Sequence, residues 1–389
     1  MKTLRQAAGE LLVVGLAGTE LTGLERAWLR LVGPGGVILF KRNIVDAAQT
    51  RALLDEATAL GAPHGVRCVD VEGGTVNRLR DALAALPSAQ AVGAAMRNQS
   101  PPKATRNGGP RKPFAAARDF GELIARAVKA FGFNTTLAPV VDLSLPQAAE
   151  VLGSRPSGAN AADVTAFARD FLEGLAAQGV AGCGKHFPGL GGATGDSHFV
   201  TPKIERNWKQ IWNEDLVPYR ELHAAMPMIM MNHAAYPATP GKNRPASASE
   251  FWITAILRKR IGYRGIIFSD DLEMGGILKF LSVEEAAIAA VRAGSDLLEI
   301  CHSPELILRS YEALIAEAER STAFRTLLLR RAREVELKRK RLYAEAPARP
   351  LTAKQFDALR QRSLRFRDQI AASEADAAMP RAAAPAEIA

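Results

Sequence analysis

Residues 185–198 read KHFPGLGGATGDSH and carry four ionisable groups, Lys185, His186, Asp196 and His198, among glycines at 189, 191, 192 and 195. That glycine density predicts a loop rather than a helix or long strand. A loop that only connects elements has no need of two histidines. A loop that closes onto a substrate and hands over a proton does. Asp196-Ser197-His198 suits that task. An unperturbed imidazole titrates near pH ~6.5, so it can donate and accept a proton near neutrality. A neighbouring carboxylate orients the ring and favours its charged form.

Other ionisable residues close apolar runs elsewhere in the chain. Asp70 lies at the end of GVRCVDV with Glu72 and Arg78 after it, Lys185 and His186 end GVAGCGKHF, His233 lies in MIMMNHAAY, and Asp270 and Asp271 end GIIFSDD. Singly, each has a plain reading. Asp271 before LEMGG could cap a helix, and a histidine at a strand end could be a structural hydrogen-bonder. Four such ends in one chain argue for a shared site. Mixed Asp, Arg, Lys and His suits the hydroxyls of a sugar, because carboxylates accept from them and cations donate to the same oxygens. A carboxylate beneath the anomeric carbon can then form a covalent ester, as in retaining glycoside hydrolysis.

Eight apolar runs hold these residues, at 11–15, 35–40, 65–71, 134–143, 179–187, 228–236, 265–271 and 295–303. Several are near-continuous Val, Ile and Leu, the pattern of strands buried on both faces. Amphipathic stretches such as ARDFGELIARAVKAF and VEEAAIAAVRAG separate them. The expected fold is α/β, a single (β/α)8 TIM-type barrel with a C-terminal helical extension. The barrel is expected over 1–343 and the extension over 344–389, disordered from about residue 371. No GxGxxG follows the first run, which argues against a dinucleotide fold. In such a barrel the active site lies at the C-terminal ends of the strands, where all the residues above fall.

The chain has 389 residues, 48 % of them hydrophobic, and a formal net charge of +9. Two local runs hold much of the excess charge: 96–113, which reads as a long loop, and the basic amphipathic helix 325–343. The first has no aromatic residue to interleave with its cations, which speaks against nucleic acid. Cys68, Cys183 and Cys301 share no CxxC spacing and read as buried free thiols of a reducing compartment. The N-terminal segment MKTLRQAAGELLVVGLAGTE is interrupted early by Glu10 and lacks a clean cleavage site, and no run approaches a membrane span. A cytoplasmic monomer is expected, acting on a small carbohydrate, with neither nucleic acid nor membrane as partner.

KHFPGLGGATGDSH, with DVEGGTVNR before it and SDDLEMGG after it, resembles the bacterial β-N-acetylglucosaminidases of glycoside hydrolase family three. The resemblance runs from about residue 5 to 340, supported by GGVILFKRNI, NTTLAPVVDL, NHAAYPA and RPASASEFWITAILRKRIGYRG. It implies Asp270 as nucleophile, Asp196 and His198 as the acid/base dyad, and Asp70, Arg78, Arg155, Lys185 and His186 as the grip on a terminal N-acetylglucosamine. It also implies release of that sugar from anhydro-muropeptides with retention, without metal or cofactor. The chain departs from the family's usual pattern at Val71 and Thr75 (DVEGGT for DQEGGR), at Leu190 (PGLG for PGHG), and at Pro156-Ser157 after Arg155.

A metal-dependent barrel hydrolase would want an HxH pair on the first strand, which LLVVGLAG lacks. A non-catalytic sugar-binding barrel would need neither Asp270 nor the dyad. Broader β-glycosidase activity stays open, as does transfer to phosphate, since a histidine acid/base does not repel an anionic acceptor.

Overall fold

The computed structural model describes residues 2–98, 115–194, 201–242, 244–344 and 349–378. Eight parallel strands, one from each apolar run, close into a barrel. They are β1 (Leu12–Gly15), β2 (Gly36–Leu39), β3 (Val66–Val69), β4 (Thr135–Thr136), β5 (Ala181–Phe187), β6 (Met228–Met231), β7 (Ile266–Asp271) and β8 (Leu297–Ile300). Each pairs with its neighbours in sequence, and β1 pairs with β8 to close the ring. The registers include Val13↔Gly36, Cys68↔Thr135 and Met228↔Ile266. Beyond the short β4, Val140 bridges to Lys185, so the wall continues up to the site.

The strand residues are almost all buried, because barrel interior and helical coat cover both faces. At the end of β1 the packing leaves no room for a side chain. A Cβ on Gly15 would lie 1.9 Å from the Cys301 carbonyl oxygen, so glycine there lets the segment after β8 run against β1. The helices start where the sequence supplies caps. The helix Val283–Ala293 opens on a Ser282/Glu285 capping box and stops at Gly294 in the left-handed region.

Part of the basic run at 325–343 is used inside the protein. In the helix Thr322–Leu342, the fully buried Arg339 donates to Glu10 Oε2 at 3.0 Å and to the Gly35 carbonyl at 2.6 Å. Both acceptors precede barrel strands, so this arginine ties the helix to the N-terminal end of the barrel. Lys338 meets Asp296 Oδ2, just before β8, at 2.8 Å. A further helix, Ala353–Ala378, buries Leu359, Phe366 and Ile370, and Phe366 stacks on Phe120 at 5.6 Å. Disorder was expected from about residue 371, but this helix continues to Ala378. An apolar stripe at 359, 366 and 370 follows the helical period and docks it on the barrel coat. Residues 379–389 lie outside the described residues, as does most of the basic loop at 96–113. All three cysteines are buried and free. No described helix is long and apolar enough to cross a membrane.

Candidate active site

Lys185, at the end of β5, points its ammonium between two carboxylates. Nζ lies 2.8 Å from Asp70 Oδ1 and 2.7 Å from Glu72 Oε1. Glu72 also takes a forked pair of bonds from Arg155, at 2.9 Å from Nε and 2.8 Å from Nη2. Arg78 approaches Asp70 Oδ2 at 3.8 Å, and its backbone N–H donates to the Asp70 carbonyl at 3.1 Å. Burial opposes the charge on Glu72, but Arg155 and Lys185 outweigh it and hold the carboxyl well below the usual carboxylate range. Burial likewise opposes the charge on Lys185, and Asp70 and Glu72 overrule it. The cluster is thus a set of fixed charges whose Asp70 and Arg78 edge reaches solvent.

His186 continues the network on the other side. Its Nδ1 lies 2.7 Å from Asp142 Oδ2 and its Nε2 lies 3.2 Å from Arg155 Nη2. A guanidinium only donates, so Nε2 accepts and the ring proton sits on Nδ1, toward Asp142. Asp142 also accepts from the backbone of His186 and, at 2.7 Å, from Leu190 N–H. It therefore fixes both the ring and the first turn of the Gly-rich loop. The five expected binding residues are brought together, with Glu72 as their hub. Sequence reading had Glu72 only as one of a set at the third strand end and missed Asp142. Its one signal was an acid closing the run NTTLAPVVDL.

Next around the barrel come β6, β7 and β8. His233 is fully buried, with Nδ1 2.7 Å from Ser247 Oγ and Nε2 2.9 Å from the Asp271 carbonyl. Burial pushes its pKa down. Both ring nitrogens are engaged, so His233 positions the end of β7 and is the structural hydrogen-bonder that its strand-end place allowed. Asp270 sits on that end. Its Oδ1 accepts the Asp271 N–H at 3.0 Å, and no Lys or Arg pairs with it among the described residues. Behind it lies buried Glu299, where burial, reinforced by Asp271, Asp70 and Asp270, pushes the carboxyl well above its ordinary range. Asp196 and His198 lie outside the described residues.

The chain's relatives share this architecture. Residues 3–329 match the Glycosyl hydrolase family 3 N terminal domain. A beta-hexosaminidase of Idiomarina loihiensis is 35 % identical over 314 residues, covering 81 % of this chain and 90 % of that protein. One of Chromobacterium violaceum is 39 % identical over 294 residues, 75 % of this chain and 79 % of that one. The chain belongs to glycoside hydrolase family 3. Among solved structures, a family 3 β-N-acetylglucosaminidase of Paenibacillus sp. superposes with a TM-score of 0.79 at 28 % identity, covering 94 % of this chain and 69 % of that one. NagZ of Neisseria gonorrhoeae, in complex with N-trifluoroacetyl-D-glucosamine, does so with 0.71 at 29 %, covering 93 % and 98 %.

As a family 3 enzyme the chain is a glycoside hydrolase, and its departures from the family pattern leave the charged network whole. Thr75 is exposed, while Asp70 is held by Lys185 and Arg78. Leu190 is buried and serves Asp142 through its backbone. Pro156 and Ser157 are buried beyond Arg155, which keeps both bonds to Glu72.

Two further residues brace the near end of the Gly-rich loop. A Cβ on Gly189, at φ +133°, would meet Asp215 Cβ at 2.9 Å, and one on Gly192 would meet Arg206 Cδ at 2.7 Å. Arg206 Nε in turn pairs with Asp215 Oδ2 at 2.8 Å. Burial outweighs Arg206 and pushes the Asp215 carboxyl up to about 6. A carboxyl raised in the folded state binds more protons folded than unfolded between the two pKa values, so its stability contribution falls as pH rises through that window. Arg206→Met removes the compensating cation and raises Asp215 further. The variant should lose about 3–5 kcal/mol at pH 8, as for a broken buried pair. At pH 5, where Asp215 takes up a proton, it should lose clearly less. Urea midpoints at the two pH values measure this, and an equal deficit would show that charge does not carry the pair.

Proposed function

We propose that the chain is a retaining β-N-acetylglucosaminidase that removes a terminal N-acetylglucosamine from peptidoglycan fragments. The observation that carries this is the contrast between two carboxylates at one mouth. Asp70 is pinned by Lys185 and edged by Arg78, the state of a group that receives sugar hydroxyls. Asp270 has no cationic partner among the described residues, the state of a nucleophile free to attack. In this reading Asp70, Arg78, Arg155, Lys185 and His186 hold the sugar. Glu72 neutralises the buried cations beneath it. Asp270 attacks the anomeric carbon, and His198, oriented by Asp196, protonates the leaving oxygen and then activates water. Retention requires the two catalytic groups to come within roughly 5–5.5 Å. The beta-hexosaminidase names of the relatives and the N-trifluoroacetyl-D-glucosamine bound by the Neisseria protein support the sugar. Action as a cytoplasmic monomer accompanies this reading.

The test is a panel of 4-nitrophenyl glycosides, assayed with and without phosphate. The N-acetyl-β-glucosaminide should be cleaved in preference to the β-glucoside, with retained stereochemistry and free sugar as product in both buffers. Preference for the β-glucoside would move the reading to a broader β-glycosidase. A sugar phosphate as the main product would move it to a phosphorylase.

A further inference from the structure

The corner of the barrel mouth between β7 and β8 gathers acids without cations. Asp270, Asp271, Glu273 and Glu299 have no Lys or Arg within ion-pair distance among the described residues. One carboxylate oxygen of Glu273 and one of Glu299 are buried with no hydrogen-bond partner. The Cys301 thiol and the His302 imidazole enter the same corner. One ligand atom each from Asp271, Cys301 and His302 all lie within 4.8 Å of one another, and His302 Nε2 is 3.8 Å from Asp271 Oδ2.

Sulfur, nitrogen and oxygen donors at this spacing suit a tetrahedral ion of zinc type. Its bonds of ~2.0–2.3 Å set the ligand atoms about 3.3–3.6 Å apart, a small closure from what is seen. Magnesium and calcium want oxygen only and would leave the thiol unused. We propose that Asp271, Cys301 and His302 form a binding site for a thiophilic divalent cation of the zinc class, and that its occupation inhibits the enzyme. The fourth position faces solvent on the side of His302, whose side chain is 57 % exposed and supplies the way in. Inhibition rests on the reading of Asp270 as nucleophile. Asp271 N–H already donates to Asp270 Oδ1, so a divalent charge on Asp271 withdraws electron density from the attacking carboxylate.

Binding has a proton balance and a competitor. The metal expels the Cys301 thiol proton, along with the Asp271 proton when that group carries one. Glu299 Oε1 accepts the Cys301 thiol at 3.0 Å, and a protonated Glu299 can turn the same contact round and donate to the thiolate. Arg42 opposes the metal. Its Nη1 lies 3.1 Å from His302 Nδ1 and can only donate, which leaves the ring proton on Nε2. For Nε2 to bind metal, that proton must move to Nδ1 and Arg42 must release it. Arg42 keeps its bonds to the Leu16 carbonyl at 2.9 Å and the Cys301 carbonyl at 2.6 Å.

Cobalt(II) titration of the full chain tests the site without any substrate, so its outcome is separate from that of the proposed activity. The expected result is a near-ultraviolet thiolate-to-cobalt charge-transfer band, bleached by zinc. Cys301→Ser should remove the band although Cys68 and Cys183 remain. His302→Ala, at an exposed position, should weaken binding at least ~10-fold. Arg42→Met should tighten it. Absence of the band, its survival in Cys301→Ser, or loss of cobalt binding in His198→Gly instead would overturn the site. Zinc that binds here without slowing turnover would overturn the inhibitory half.

Discussion

Asp270→Ala is expected to lose turnover by ~10⁴-fold or more on every substrate, whatever its leaving group, in the range that removal of a covalent nucleophile produces. The reason is that no neighbour can take its place. Asp70 is held by Lys185, and Glu72 by both Lys185 and Arg155. Asp271 turns one oxygen to the Glu273 N–H, and its carbonyl is fixed by His233. Binding should change far less, because the grip on the sugar lies across the mouth on β3 and β5. A 5-fluoro donor sugar should label the parent enzyme, and peptide mass mapping should place the adduct on Asp270. An adduct on Asp271, or a product of inverted configuration, would overturn the assignment.

The barrel was legible because parallel strands covered on both faces leave a mark that local sequence cannot hide, eight apolar runs separated by amphipathic stretches. The site was legible to the extent that its residues close those runs. Lys185, His186, Asp70 and Asp270 all do. The connections among them were not. Arg155 reaches Glu72 across 83 residues of chain, and Asp142 reaches His186 across 44. No local pattern announces which carboxylate will sit between two buried cations. His233 shows the converse. Its place at a strand end matched the catalytic pattern, yet Ser247 and the Asp271 carbonyl occupy both its nitrogens. The C-terminal extension was legible as helical, but how far its helix runs was not. Its Ala-rich composition near residue 371 outweighed a sparse stripe, Leu359, Phe366 and Ile370, that acquires meaning only when Phe120 is found beneath it.

His198→Gly should separate proton transfer from bond making. An alkoxide leaving from a natural disaccharide needs a proton, and general acid catalysis is typically worth ~10²–10⁴-fold. The variant should lose about that much on the disaccharide and far less in the first step on a 4-nitrophenyl sugar, whose phenolate leaves unaided. The second step slows as well, because the same imidazole must deprotonate water. The glycosyl-enzyme then accumulates, and added azide should speed turnover by attacking it without base help. The stereochemistry of the azide product distinguishes loss of the acid/base from loss of the nucleophile. In His198→Gly the azide displaces Asp270 from the glycosyl-enzyme and gives the β-azide. In Asp270→Ala no ester forms, and any azide product arises by direct displacement on the substrate and carries the α configuration. Asp196→Ala should be a milder form of His198→Gly, since its carboxylate only orients and charges the ring. Equal losses on both kinds of substrate, with no azide response, would make His198 a binding residue. The proton donor would then have to be sought elsewhere.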